Sequence, residues 1–72
     1  MSIEPIDIEL PSDDRSVLRA KRIGPYVAYC RHPHLFWFVI RRVDGLPVPT
    51  KLTAGAYSNL TEITKVIAVL EQ

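Results

Sequence analysis

The residues best equipped for chemistry stand close together: Cys30, His32 and His34, spaced C-x-H-x-H. Thiolate and imidazole are good ligands for zinc-like ions. In an extended segment alternate residues share a face, so this spacing could aim three ligands at one ion. Two features oppose that. Pro33 lies between the histidines and favours a turn, in which the three side chains diverge. No second cluster completes a tetrahedral site, so Asp44 or another subunit would have to supply the fourth ligand. The expectation is a strand-end cysteine followed by two loop histidines, with no metal and no cofactor. The same residues raise a thiolate nucleophile, since a neighbouring imidazolium favours the thiolate. No separate acid is indicated to orient the imidazole. No phosphate-cradling Gly-rich loop, G-x-S-x-G or H-E-x-x-H occurs either. The carboxylates concentrate in the N-terminal segment, where a paired acid and base are hard to build. The chain reads as not an enzyme.

Charge gives the next constellation. The net charge over 72 residues is only +1, but its distribution is uneven. Residues 1–14 carry Glu4, Asp7, Glu9, Asp13 and Asp14 and no base. Residues 15–43 carry Arg15, Arg19, Lys21, Arg22, Arg31, Arg41 and Arg42 and no acid. One reading is two solvated faces that attract each other. The sharper one is a polyanion-binding surface partly masked by the acidic arm. Tyr26, Tyr29, Phe36, Trp37 and Phe38 interleave with these bases, and aromatics beside cations can stack on nucleic-acid bases. A near-neutral whole chain weighs against a dedicated nucleic-acid binder.

The elements that must position these residues follow from periodicity. The apolar run Leu35-Phe36-Trp37-Phe38-Val39-Ile40, ended by Arg41 and Arg42, reads as a strand buried on both faces. Leu35, Trp37 and Val39 point one way; Phe36, Phe38 and Ile40 point the other. Before it, Ile6, Ile8 and Leu10 alternate with acids between Pro5 and Pro11, a short edge strand at best. Arg15–Ile23 alternates weakly and reads as a strand with one basic face. Gly24-Pro25 breaks it, and Tyr26–Cys30 returns as the next strand of a hairpin. Asp44-Gly45 is a hairpin turn signal. The return strand expected over 46–53 holds Pro47 and Pro49, which confines it to an edge or makes it irregular. Asn59, with Glu62 in capping-box position and Ser58 as rival cap, opens a helix. Its stripe is Leu60, Ile63, Val66, Ile67 and Leu70, and burying it is worth roughly 1.5–3 kcal/mol per side chain, so it must dock on the sheet.

The predicted architecture is α+β: a small antiparallel sheet of three to five strands, a meander, with one C-terminal amphipathic helix on one face. One domain spans 1–72, with the arm or edge strand over 1–14, the meander over 15–54 and the helix over 59–71. Domains of this size often draw on a disulfide, a metal or a second subunit. A single cysteine excludes an internal disulfide and fits a reducing, cytoplasmic setting. There is no membrane-spanning run and no apolar leader.

The hairpin leading through Tyr57-Ser58-Asn59-Leu60 into an amphipathic helix resembles the three-stranded-sheet-plus-helix arm domains of phage-type integrases, by order of elements over about half the chain. That resemblance implies DNA as a partner, by analogy.

Coverage decides between partners at this level. One helix can cover one sheet face. The other face needs the arm or a second molecule, and exposed aromatics with arginine are the usual anchors of interfaces. The expectation is therefore a small non-enzymatic protein-interaction module of regulator or inhibitor type, the kind phages and mobile elements encode. It would bind a partner protein through Tyr26, Tyr29, Phe36, Trp37 and Phe38 and also form a homodimer. The alternative is a nucleic-acid-binding module using the basic segment 15–42.

Overall fold

The structure, a computed structural model, describes residues 3–71. It contains a four-stranded antiparallel sheet in the order β1-β2-β3-β4. The strands are β1 (Ile6–Asp7), β2 (Val17–Ile23), β3 (Tyr26–Arg31) and β4 (Phe36–Arg42). A one-turn helix α1 (Thr50–Thr53) and the longer α2 (Leu60–Leu70) follow. This is the small α+β meander with a C-terminal helix that periodicity predicts. Among the described residues no helix is long and apolar enough to cross a membrane.

The β2–β3 hairpin closes on Gly24-Pro25, with Ile23 paired to Tyr26. Gly24 has φ +58°, and Pro25 is held at negative φ by its ring. Of the two favoured two-residue hairpin turns, only the one with positive φ at its first central position fits this dipeptide. Between β3 and β4 the chain turns over His32–Leu35, where Leu35 sits at φ 59°. That left-handed conformation costs an L-residue about 1–2 kcal/mol, and Leu35 also exposes its side chain.

Helix α2 begins as its sequence predicts. The Asn59 side chain accepts a hydrogen bond from the Glu62 backbone N–H at 2.8 Å. Ser58 contributes differently from a rival cap: its hydroxyl donates to the Glu62 carboxylate at 3.0 Å. Ile63 and Ile67 are fully buried, with Leu60, Val66 and Leu70 packed around them. Gln72, expected on the outer side, lies outside the described residues.

Two expectations are corrected. Residues 46–53 do not form a return strand. Pro47 and Pro49 have no N–H to give a ladder. The Leu46 N–H, next after the turn, bonds the Asp44 side chain instead. The chain then forms α1, which buries Leu52, and touches β4 through a single bridge, Trp37 with Tyr57. The second correction concerns β2. A bulge between Val17 and Arg19 inserts Leu18, so Val17 opposes Arg31 and comes to share a face with Ala20 rather than with Arg19 and Lys21. Arg19 and Lys21 keep the shared face expected of them, and Arg22 points opposite to both by alternation. The N-terminal segment forms the short edge strand that its alternation predicts. It joins the edge as β1, pairing Ile6 with Arg22 and Asp7 with Lys21, and leaves Ile6 51% and Leu10 50% exposed.

One apolar core holds these elements together. Ile23, Tyr26, Ala28, Cys30, Trp37 and Val39 from the sheet meet Leu52, Ile63 and Ile67 from the helices. Val17, Ala20 and Val27 are also buried but stand outside this cluster. They belong to the opposite side of the sheet, which receives neither helix.

Candidate functional site

That opposite side is built by register. Ala20, Tyr29 and Phe38 form one cross-strand row. Arg22, Val27 and Arg41 form the next. Arg31 pairs with Phe36 at the far end, and Ile6 extends the Arg22 row at the edge. A second bulge, between Val27 and Ala28 on β3, sets both Ile40 and Arg41 of β4 against Val27. Small side chains line the middle and large ones surround them. Val27 and Ala20 are consequently shielded, Tyr29 and Phe38 are half-buried, and Phe36 and Ile40 are 40% and 37% exposed.

Cations are treated differently on the two sides. On the helix side, Lys21 donates to Asp7. The Arg42 guanidinium is bidentate on Asp44 at 2.9 and 2.7 Å. It also donates to the Tyr26 hydroxyl at 3.0 Å and lies 3.6 Å from Glu71 at the end of α2. This arrangement ties the β4 turn to the helix. Hydrogen bonds from Arg42 and from the Leu46 N–H hold the Asp44 carboxyl down at about 2. Arg19 lies over the Trp37 ring, 5.6 Å from its centre. On the open side, Arg22 and Arg41 are exposed and make no ion pair among the described residues. Arg31 is anchored by Asp14 at 3.3 Å and lies 6.0 Å from the Tyr29 ring centre. Its Nε is buried without an acceptor. Asp14 is in turn fixed by Ser16, whose hydroxyl and N–H both donate to it and lower its pKa.

The five aromatic residues that the sequence groups together are thus divided. Tyr26 and Trp37 are 1% and 3% exposed beneath the helices, where they hold the core. Tyr29, Phe36 and Phe38 belong to the open side. The seven-residue basic set is divided as well. Arg42, Lys21 and Arg31 are engaged by carboxylates, Arg19 by an indole, and Arg15, Arg22 and Arg41 make no ion pair among the described residues. Ile6 and Ile40 belong to the open side too, yet sequence patterning assigns Ile6 only to an edge. The signal that would have found it is the register, which alternation alone does not give.

Cys30, His32 and His34 are not brought together. Cys30 is buried beneath the helices, while both histidines are exposed in the turn, with His34 stacked 6.0 Å from Phe36. Among the described residues no group of three His, Cys, Asp or Glu is placed to hold a metal ion. An apolar groove of about 290 Å³ lies at the start of α2, lined by Pro5, Leu60, Thr61, Thr64 and Lys65. It lacks the converging polar groups of a small-molecule site. No family model, curated protein or solved structure matches this chain.

Proposed function

We propose that this chain is a non-enzymatic protein-interaction module that holds a partner protein on the open face of its sheet, acting on that partner as a regulator or inhibitor. The observation that carries this reading is the asymmetry of the sheet. One side is closed by two helices. The other presents half-buried Tyr29 and Phe38 and exposed Phe36 and Ile40 around a shielded Ala20 and Val27, with two arginines that make no ion pair among the described residues. Apolar surface rimmed by charge, with aromatic and arginine anchors, is the composition of protein interfaces. The strained, exposed Leu35 beside Phe36 supports the same reading, because backbone strain at the surface is retained where function uses it.

The test is capture of proteins from the producing cell by the wild-type chain and by the double variant Phe36→Ser, Ile40→Ser. Both side chains are exposed, so the variant should keep its melting temperature. Partners held by the wild type and lost by the variant are expected. Equal capture by both would move the interface off this face. Capture no better than blank resin would remove the module reading altogether.

A further inference from the structure

Resting on that reading, we infer that the partner presents an acidic amphipathic helix, whose carboxylates meet Arg22 and Arg41 and whose apolar side chains cover the surface between them. Arg22 and Arg41 flank Val27 in one cross-strand row. Neighbouring strands lie about 4.8 Å apart, so the two arginines rise from backbones about 10 Å apart. Residues i and i+7 of an α-helix are about 10.5 Å apart along its axis, with i+3 and i+4 between them on the same side. A helix crossing the strands therefore sets two acids over the two arginines and two apolar side chains over the half-buried Tyr29 and Phe38. Guanidinium and carboxylate are matched for paired hydrogen bonds.

Charge complementarity favours this occupant over the others. The strand positions of this face carry Arg22, Arg31 and Arg41 and no acid. A second copy docked face to face would oppose arginine to arginine. Nucleic-acid bases need uncovered rings to stack on. Here Arg31 lies against the Tyr29 ring and His34 against Phe36. The remaining exposed apolar side chains, Ile6 and Ile40, are aliphatic and suit a protein surface.

The experiment selects from a displayed library of random peptides, each long enough for roughly four helical turns, on the immobilised full chain. Enriched peptides should carry acids flanking apolar residues at helical spacing. Their binding to the double variant Arg22→Gln, Arg41→Gln should fall about tenfold. That variant should melt as the wild type does. Peptides that enrich and are displaced by Phe36→Ser, Ile40→Ser, yet are neutral or basic, would overturn the acidic-helix inference and leave the interaction reading standing. Enrichment of nothing on this face would overturn both. Two further arms identify the rival occupants. Binding of oligo-dT or oligo-U through Arg22 and Arg41 at low salt, without peptide enrichment, would replace the protein by a single-stranded nucleic acid. A dimer by light scattering that Arg22→Gln, Arg41→Gln strengthens would replace it by a second copy.

Discussion

The two sides of one sheet are built from the same strands and treated in opposite ways. On the helix side, apolar side chains are buried against α1 and α2, and the cations among them are engaged: Lys21 by Asp7, Arg42 by Asp44, Arg19 by Trp37. On the open side, among the described residues, Val17, Ala20 and Val27 are the buried ones, Arg31 is held by Asp14, and Arg22 and Arg41 make no ion pair. Burial follows the helical layer, whereas charge pairing follows the nearest acid: Asp7 on β1, Asp44 after β4 and Asp14 before β2. A helix packed on a sheet removes apolar area from water, and its ends and loops supply partners such as Glu71 for the cations that remain at the rim. A face without that layer keeps its apolar patch and its charges together. That combination is stable in water only as a marginal surface, and it is also what a partner recognises.

The comparison can be broken most forcefully from the helix side. Trp37→Ala removes a large buried side chain and should cost about 3–5 kcal/mol. A chain of 72 residues has a total stability of only about 4–11 kcal/mol. Circular dichroism should therefore show a melting temperature lowered by tens of degrees or no folded state at all. A loss below about 1 kcal/mol would mean that the helix side is not the core.

Acid acts next, at the rim of the helix side. Asp44 sits at about 2, held down by the Arg42 guanidinium and the Leu46 N–H, below its ordinary value of 3.8. A carboxyl lowered in the folded state adds stability above its unfolded pKa and loses it as pH falls. The melting temperature should drop between about pH 4 and pH 2. Asp7, lowered by its hydrogen bond from Lys21, and Asp14 act in the same direction. Asp44→Asn should be less stable than wild type at neutral pH and should flatten this part of the profile. An identical profile in the variant would remove Arg42 from its structural role.

The open side predicts smaller changes, and of the other sign. Leu35→Gly relieves a left-handed leucine at the cost of glycine's entropy, so urea denaturation should show a gain of about 0.5–1 kcal/mol. Any loss would mean that Leu35 packs usefully in the free chain. The smallest effect belongs to Arg22→Gln, Arg41→Gln, which should leave stability within about 0.5 kcal/mol. A larger fall would show that these arginines are structural and that the two sides are treated alike after all.

The sequence carried the elements well because each has a short-range cause. Asn59 with Glu62 is a local cap, Gly24-Pro25 a local turn, and the Leu60–Leu70 stripe a local period. What it hid was register. Leu18 looks like any strand residue, yet as the extra residue of a bulge it moves Val17 to the other face. Alternation assigns Trp37 and Phe38 correctly to opposite faces, but not which of the two faces the helix covers, so Tyr26 and Trp37 look as available to a partner as Phe36. The basic block is continuous along the chain and becomes two populations only when Asp7, Asp14 and Asp44 are brought beside it. Pro47 and Pro49 predict an edge strand or an irregular segment, and their two missing donors leave the irregular one. Cys30, His32 and His34 keep their spacing on paper, but the strand ends between them.

The strand order has a consequence for how the molecule comes into being. Every ladder joins chain neighbours, β1 to β2, β2 to β3 and β3 to β4, across short connections. Such near-sequence pairing closes small loops, which favours rapid zipping from the Gly24-Pro25 turn outward. Helix α2 lies farther along the chain than any strand and must find a sheet that is already made. Before it docks, Tyr26, Trp37 and Val39 stand bare on one face, and Tyr29 and Phe38 with Arg22 and Arg41 on the other. Covering Trp37 thus divides the aromatics of one sheet into core and surface.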